Sequence, residues 1–278
     1  MKHIIKIMAV LGLFAASPAF AAGLEELAVY PTFQYFTWEE FKDDGSRILK
    51  ESGPLFGAGA AGRVDLYEKT LMLKFKGELF GGQVDYDGQT QQDPDPTVSE
   101  LPVKTDAWYF GAKAEADLGW RFLVEKVSIE PFAGLGYRWW LRDIQGSTAL
   151  DNTPQQNLVQ VGGAKEIWQT LYTRFGARVD YLISDDWKVF WEAGAKYPVL
   201  NRNTAEVSGS GDVTVRPELE WSAFAEAGFK YKQFRPSFFY EGFRFSRSPS
   251  VPIGGGAAVF QPKSESDIFG VSLGWAFR

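Results

Sequence analysis

The 278-residue sequence contains no cysteine and only one histidine, His3. Without thiols, the chain can form no disulfide, no thiolate metal site and no cysteine nucleophile. Because His3 stands near the start of the sequence, the rest of the chain also lacks the imidazole that a Ser-His-Asp triad, a His-assisted aspartyl site or a His-ligated zinc centre requires. These absences exclude the commonest hydrolase and zinc chemistries, and we expect no cofactor and no metal.

The sequence also lacks a hydrophobic run long enough to cross a membrane as a helix. The apolar segment at residues 7–14 is shorter than the ~20 residues that a spanning helix needs. It follows two lysines and precedes an Ala-Phe-Ala sequence at residues 19–21, an order typical of a secretory signal peptide and its cleavage site. We therefore expect residues 1–21 to be a signal peptide, with a membrane anchor as the alternative, and residues 22–278 to form one exported domain.

Positive charge is scarcer than negative charge. The formal net charge is −6, which argues against nucleic acid as a partner. Aromatic residues make up 16% of a chain in which 23% of residues are charged, and the mean hydropathy is −0.20. Such a mixture fits a barrel in which aromatic girdles meet lipid and charges line the lumen, because half of each strand then faces water.

What the sequence does contain is a two-residue alternation. Between residues 108 and 117 the even positions are tryptophan, phenylalanine and alanine, whereas the odd positions include Lys113, Glu115 and Asp117. Residues 219–232 repeat this pattern. The period indicates β-strands with one apolar face and one charged face.

Aromatic residues recur ten positions apart, as in Trp187 and Tyr197 and again in Trp221 and Tyr231. A strand of that length tilted by about 40° rises roughly 25 Å, the height of the apolar band of an outer-membrane barrel. We therefore expect the apolar faces to contact lipid and the charged faces to line a lumen. Trp140 is interpreted as part of the same girdle. The aromatics predicted at the lipid interfaces are Trp108, Trp187, Tyr197, Trp221, Tyr231, Trp275 and Phe277.

Ten strands can be placed along the chain, and the connections between them alternate in length. Long polar segments follow the odd-numbered strands, and mostly short turns follow the even-numbered ones. This alternation is typical of a barrel whose turns are periplasmic and whose long loops face outside. The predicted fold class is all-β, a transmembrane up-and-down antiparallel β-barrel of about ten strands. The predicted strands are 27–41, 54–67, 70–85, 105–118, 128–142, 167–182, 187–198, 217–231, 234–246 and 267–277.

The inward faces of these strands carry charges of both signs. Opposite charges in a narrow lumen must pair, since removing one partner of a buried pair costs ~3–5 kcal/mol. We expect a salt-bridged plug; a selective pore constriction and a carboxylate pair for acid-base catalysis are the alternatives. The predicted lumen network comprises Arg63, Lys74, Lys76, Glu78, Lys113, Glu115, Asp117, Arg174, Arg178, Asp180, Glu192, Glu220, Glu226 and Lys230.

The last predicted strand ends one residue before the end of the sequence, at Phe277. It resembles the carboxy-terminal targeting signal of outer-membrane proteins, which usually closes on an aromatic residue, and the resemblance implies the barrel assembly machinery as a partner. Arg278 departs from that pattern. Basic residues near the predicted outer rim can hold phosphates of outer-membrane lipid, including lipopolysaccharide. They are Lys104, Arg142, Arg202, Arg216, Arg244 and Arg247.

As a whole, residues 22–278 resemble Gram-negative outer-membrane β-barrel proteins, and their length and strand number are similar to those of the omptin proteases. The omptin reaction needs a histidine-aspartate pair opposite two further aspartates, and no histidine follows His3 to match it. Barrel enzymes that modify lipids also rely on histidine. The remaining resemblance is to the small OmpA-like, OmpX-like and Opa-like barrels, whose roles are structural, adhesive or weakly pore-forming.

These observations together predict a non-enzymatic outer-membrane barrel with a charged, largely plugged lumen and long outer loops, serving envelope structure or surface interaction. The alternative is a narrow porin-like channel for ions or small solutes. A histidine-free hydrolase is a third class. The sequence indicates no particular extracellular partner.

Overall fold

The computed structural model describes residues 23–90, 95–207, 211–254 and 257–277, so the predicted signal peptide lies outside the described residues. The described chain is built from β-strands, and none of its residues belongs to a helix that could cross a membrane. The strands are β1 (Leu24–Phe41), β2 (Arg47–Tyr67), β3 (Leu71–Gln89), β4 (Pro102–Trp120), β5 (Phe122–Val124), β6 (Val127–Ile144), β7 (Ser147–Leu150), β8 (Leu158–Val161), β9 (Ala164–Leu182), β10 (Trp187–Val207), β11 (Gly211–Val215), β12 (Glu218–Leu219), β13 (Ser222–Tyr231), β14 (Phe234–Ser246), β15 (Val251–Gly254), β16 (Ala257–Val259) and β17 (Lys263–Ala276).

Ten of these strands form one closed antiparallel barrel. Their order around the ring is β1, β2, β3, β4, β6, β9, β10, β13, β14 and β17, and β17 pairs back onto β1, with Phe33 opposite Val271. The two-residue strand β12 pairs with β14 just ahead of β13. Because every barrel strand has two neighbours, the ring exposes no edge of unpaired N–H and C=O groups to lipid.

The two ends of the barrel differ. At one end, here called the turn end, the strands are joined by residues 68–70, 121–126, 183–186 and 232–233. The longer connections lie at the opposite end, here called the loop end. In outer-membrane barrels the short turns are periplasmic and the long loops face outside, so the orientation predicted from the sequence assigns the turn end to the periplasm.

All ten predicted strands are present, and the prediction of an all-β barrel is confirmed. Several strands extend beyond their predicted limits at the loop end: β2 begins at Arg47 and β10 continues to Val207. The extension is stabilised by pairing between neighbours, since Ala205 of β10 still pairs with Glu166 of β9. This polar sequence lacks the apolar alternation that indicates a strand, so its pairing was not predicted.

The outer face of the barrel is apolar and carries aromatic pairs at both membrane interfaces. Trp187 lies opposite Tyr231 near the turn end, with 4.6 Å between their ring centroids. Tyr197 packs against Trp221 nearer the loop end, at 4.8 Å. The ten-residue spacing in the sequence therefore places one aromatic pair at each interface of the same two neighbouring strands.

The interior contains two layers. Charged side chains fill the turn end and the middle of the lumen, whereas a cluster of buried apolar side chains fills the loop end. The small hairpin β7–β8 and the segment before β4 help to close the second layer, because Ala149 and Leu101 are buried in the same apolar cluster. The loops are thus part of the packed interior.

Candidate functional site in the lumen

Arg178 is the centre of the charged layer at the turn end. The two-residue period of β9 places Arg174 and Arg178, four positions apart, on the same inward face. The Arg178 guanidinium donates to Glu130 at 2.8 Å and to Glu192 at 2.7 Å, and it also contacts Asp117. Carboxylates from β6, β10 and β4 thus share one guanidinium, whose planar set of donors suits several acceptors.

Neighbouring cations extend this network across the lumen. Arg174 donates to the other oxygen of Glu192 at 2.8 Å. Lys74 of β3 reaches Glu192 of β10, although β4, β6 and β9 lie between those strands. Arg63 of β2 pairs with Asp180 of β9 at 3.1 Å. These contacts connect opposite walls of the barrel.

Glu241 of β14 is the centre of a second cluster, in the middle of the barrel. Its carboxylate binds Lys113 at 2.8 Å, Lys196 at 2.9 Å and Arg138 at 3.3 Å, and all four side chains are buried. In the ring of ten strands, β4, which carries Lys113, lies directly opposite β14. The Lys196 ammonium also lies 3.5 Å from the ring centroid of Phe243. One ion pair therefore spans the full width of the lumen at this level.

Arg142 of β6 forms the third cluster, nearer the loop end. It donates to Glu51 at 2.6 Å, to Glu40 at 3.0 Å and to Glu166 at 3.0 Å. Tyr109 donates its hydroxyl to Glu51. Only about 1% of the Arg142 surface is exposed, so its charge is balanced entirely within the protein.

Aromatic rings close the lumen around the Arg142 cluster. Trp140 and Trp168 stack with 5.4 Å between centroids and 5° between planes, and Trp38 meets Trp168 edge-on at 4.9 Å. Phe245 lies 5.3 Å from Trp168. The indole N–H groups of Trp38 and Trp168 donate to Glu40 and Glu166, two of the carboxylates that bind Arg142. The interpretation of Trp140 as a girdle residue is therefore wrong, because its side chain lies inside the barrel.

The structure places the predicted lumen residues other than Glu220 on the inner face, and two of the predicted residues differ in their partners. Glu78 accepts a hydrogen bond from Gln34 at 2.6 Å, and Glu220 accepts one from Ser246; neither forms an ion pair within the described part of the chain. Those that do form ion pairs are Arg63, Lys74, Lys76, Lys113, Glu115, Asp117, Arg174, Arg178, Asp180, Glu192, Glu226 and Lys230.

Sequence reasoning missed several carboxylates that are central to these clusters. Glu241 lies between aromatic residues on a strand that is apolar on both faces, so no alternation marks it as inward-facing. Glu51 lies in the polar loop-end extension of β2, and Glu40 lies near the end of β1, a strand that is apolar on both faces over much of its length. Glu130 precedes a proline near the start of β6. The signal that could have found them is charge balance, since each of the inward cations needs a partner.

The structure places the predicted interface aromatics on the outer face. Tyr197 is half-buried against Trp221, and the others are exposed. The exposed members are Trp108, Trp187, Trp221, Tyr231, Trp275 and Phe277.

The basic residues of the predicted outer rim divide into two groups. Arg142 is enclosed in the lumen, so it cannot contact lipid and that assignment is wrong. Arg244 lies on the outer wall and pairs with Asp267 at 2.7 Å. Lys104 is exposed and lies 3.4 Å from Asp87. Lipid contact by the rim residues other than Arg142 stays a prediction.

Two small cavities remain in the lumen near the turn end. One, of about 30 Å³, is lined by Arg63, Lys74, Lys188 and Arg235 among others; the second, of about 20 Å³, is lined by Lys76, Glu226 and Arg235. Cavities of this size hold roughly one to three water molecules. Within the described ranges, the acidic side chains form no group arranged to hold a metal ion.

The carboxylates of the three clusters are each bonded to a guanidinium or an ammonium group. An acid-base pair needs a carboxyl group that is free to exchange a proton with a substrate. Here the oxygens of Glu192 and Glu241 are instead occupied by arginine and lysine. The arrangement suits holding the walls of the barrel together.

Superposition on one solved barrel shows the same fold, and two further solved structures superpose less closely. The outer-membrane protease OmpT of Escherichia coli superposes with a TM-score of 0.59 at 12% identity, over 91% of this chain and 97% of that one. The translocator domain of the autotransporter NalP of Neisseria meningitidis gives a TM-score of 0.39 at 14% identity, over 99% and 97% of the two chains. A FadL homologue of Pseudomonas aeruginosa gives 0.36 at 11% identity, over 91% of each chain. No curated protein matches the sequence.

The sequence also matches a protein-family model, described as the autotransporter β-domain, over residues 56–235. The match runs from the middle of β2 to the second residue of β14 and covers more than half of the chain. The barrel is of the Gram-negative outer-membrane type. With the closed ten-strand ring and the apolar outer wall, this match shows that the chain belongs to the autotransporter β-domain family.

Proposed function

We propose that the protein is a closed, non-enzymatic outer-membrane barrel that serves envelope structure or surface interaction through its outer loops. The single observation that supports this most strongly is the Lys113–Glu241 pair, 2.8 Å long, between strands on directly opposite sides of the ring. A water-filled channel needs the centre of the lumen to be open. Here it is occupied by a buried cluster of four charged side chains and the aromatic ring of Phe243.

The energetics favour keeping this plug in place. Separating Lys113 from Glu241 would leave charges unpaired among aromatic rings, and breaking a buried pair costs ~3–5 kcal/mol. The clusters around Arg178 and Arg142 repeat the arrangement on either side, so three successive levels of the lumen are cross-linked. Thermal motion that opens all three at once is correspondingly rare.

The loop end supports a role as a structured outer surface. Asn152, in the connection between β7 and β8, donates its side-chain amide to the carbonyls of Pro96 and Ser99 in the preceding loop, both at 2.9 Å. Its backbone N–H donates to Thr97 at 2.8 Å. Two different loops are therefore locked together, which gives a partner a fixed shape to recognise.

The proposal also covers how the protein reaches the membrane. Residues 1–21 direct export and are then removed. The barrel assembly machinery recognises β17 through its exposed face of Phe269, Leu273 and Trp275. The outer wall contacts lipid, including lipopolysaccharide. Nucleic acid is not a partner of this acidic chain.

Planar-bilayer recording tests the closed barrel. The unmodified protein is expected to give little or no steady conductance. Replacing Lys113, Arg138, Lys196 and Glu241 together by alanine removes the central cluster without leaving one of its charges unpaired, and should raise the conductance above that of the unmodified protein. The matched control is the double change Lys104→Ala and Asp87→Ala, an exposed ion pair at the loop end, which should stay silent. Large, stable, ion-selective currents from the unmodified protein would falsify the closed barrel and favour the channel.

A further inference from the structure

Two cations near the turn end of the lumen are held less closely than the rest. Among the described residues, Arg235 has Glu26 as its ionic partner at 3.5 Å, and Lys76 has Glu226 at 3.5 Å. Charge-assisted bonds are usually 2.7–2.9 Å long, the distance seen for Lys113 and its partner. Both cations therefore have donor capacity that the protein itself does not use.

Their carboxylate partners are already engaged by closer donors. Glu26 accepts from Lys230 at 2.6 Å. Glu226 accepts from the Ser237 hydroxyl at 2.9 Å. In each carboxylate the closer donor occupies one oxygen, and Arg235 or Lys76 faces the other oxygen at 3.5 Å.

Both cations line the same cavity. Arg235 of β14 and Lys76 of β3 lie on opposite sides of a stretch of wall formed by β17, β1 and β2. Three inward residues of that stretch are small, Ala28, Ala61 and Gly274, and Tyr30 lies beside them with its ring 5.2 Å from the Lys76 ammonium. Because the three small side chains do not reach into the lumen, the two cations face a cavity of about 20 Å³.

The two adjoining cavities are lined by more cations than carboxylates. Arg235 and Lys74 line both, so the cavities form neighbouring parts of one space. The lining cations are Arg63, Lys74, Lys76, Arg178, Lys188 and Arg235; the lining carboxylates are Glu26, Asp180, Glu192 and Glu226. Two of these cations, Arg63 and Arg178, also pair with carboxylates outside the lining, Glu130 and Asp117, whereas the ionic partners of Lys76 and Arg235 lie within it.

The geometry points to a binding site for one small inorganic anion, held between Arg235 and Lys76 in the turn-end cavity. A guanidinium and an ammonium with unused donors, facing one space across a wall of small residues, are what a chloride-sized or phosphate-sized ion requires. The cavities, of about 30 and 20 Å³, limit the occupant to an ion of that size. The site is separate from the loop end and from the central Glu241 cluster.

Crystals of the refolded barrel grown in sodium bromide test the site directly. Bromide replaces a small anion and is located by its anomalous scattering. An anomalous peak within ion-pair distance of both the Arg235 guanidinium and the Lys76 ammonium supports the inference. Its absence there, with bromide seen only on the outer surface or nowhere, overturns it.

A solution measurement gives the affinity and uses matched variants. The midpoint of thermal unfolding is followed as chloride or inorganic phosphate replaces gluconate at constant ionic strength, since an ion bound only by the folded state raises the midpoint. Arg235→Gln and Lys76→Gln should each weaken the apparent affinity about tenfold, the effect of one charged hydrogen bond. Lys104→Gln, an exposed change at the loop end, should leave the response unchanged. Equal responses in all four proteins, or none in the unmodified one, would contradict the site.

Discussion

Glu241 illustrates how much a single buried charge contributes to this fold. Three cations share its carboxylate, and none of them has room to reach bulk water. Replacing Glu241 by alanine leaves an excess of positive charge in the middle of the lumen. We expect Glu241→Ala to lower the free energy of unfolding by ~3–5 kcal/mol. Urea unfolding of the barrel in lipid vesicles measures this change.

The matched control is Glu39→Ala. Glu39 also pairs with two cations, Arg47 at 3.3 Å and Lys50 at 3.4 Å, but on the outer surface near the loop end. Exposed pairs of this kind contribute about 0–1 kcal/mol. A similar loss for both variants would show that the buried cluster has no special importance for stability.

Gly136 shows that the lumen is filled by shape as well as by charge. It lies on the inward face of β6 directly opposite Tyr172 of β9, and a Cβ atom added to it would collide with the Tyr172 ring. Gly136→Ala should therefore destabilise the barrel by ~1–3 kcal/mol through overpacking. Gly162→Ala is the control, because nothing lies within 4 Å of its added Cβ. Thermal unfolding that ranks the two variants equally would contradict close packing at Gly136.

Asp151 gives the β7–β8 connection a dependence on pH. The hydrogen bond from the Thr153 hydroxyl, 2.6 Å long, holds the pKa of the Asp151 carboxyl below its usual value, and hydrogen bonds from Asn157 add to the effect. Because the pKa is lowered in the folded loop, the ionised carboxylate stabilises that loop at any pH above the ordinary carboxyl pKa of about 4. This stabilisation is lost as the pH falls through the lowered pKa. The loop should be ordered at neutral pH and loosen in acid below about pH 4.

A spin label measures this loosening. The absence of cysteine allows a single label to be attached through the variant Gln155→Cys, at an exposed position in the same connection. The mobility of the label should increase below about pH 4. With Asp151→Asn added, the mobility should no longer change with pH. A pH response that survives that substitution would assign the effect to another group.

At the scale of the strands, the apolar outer face makes a direct prediction. Ala225 lies on the outer face of β13, between Trp221 and Tyr231, and hence near the middle of the membrane. Ala225→Arg should cost ~2–4 kcal/mol and reduce barrel assembly. Glu206→Arg, an exposed position in the loop-end extension of β10, should assemble normally. Recovery of folded protein from the membrane fraction measures both.

The strands also show what sequence can and cannot predict. The outward column of β13 is visible because charged residues such as Glu226 and Lys230 alternate with it. The strands β1 and β14 lack this contrast, since Trp38 and Phe243 point inward while Phe33 and Phe238 point outward. A strand with apolar residues on both faces could turn either face towards the lumen. Only the closed ring decides which aromatics fill the loop end of the lumen.

The candidate site was predictable in its composition but not in its partners. Lys113 and Arg178 were expected to pair within the lumen, because inward charges of both signs require it. That Lys113 meets Glu241 depends on which strands face each other, and this follows from the number of strands and their tilt. The sequence contains no local pattern that specifies such a contact across 128 residues of separation.

At the scale of the whole molecule, closure of the ring should be essential for assembly. Deleting residues 263–278 removes β17 and leaves β14 and β1 each with one unpaired edge. We expect this variant to give no compact, heat-modifiable monomer on electrophoresis. Deleting residues 251–259, the hairpin β15–β16 outside the barrel sheet, should leave that monomer intact. Recovery of the monomer without β17 would mean that another strand can complete the ring.

The pairing of β1 with β17 also sets the order of events in time. Phe33 and Val271 come together only after nearly the whole chain has been made, so the contact that completes the barrel is among the most distant in sequence. Contacts of this kind form slowly, because a long loop of chain must be brought together before they give any stabilisation. Until then both free edges can add a strand from another molecule. The nascent chain is therefore most prone to aggregation in the interval between translocation and the arrival of its final strand, and a periplasmic chaperone that shields β1 during that interval would raise the yield of barrel without changing its stability.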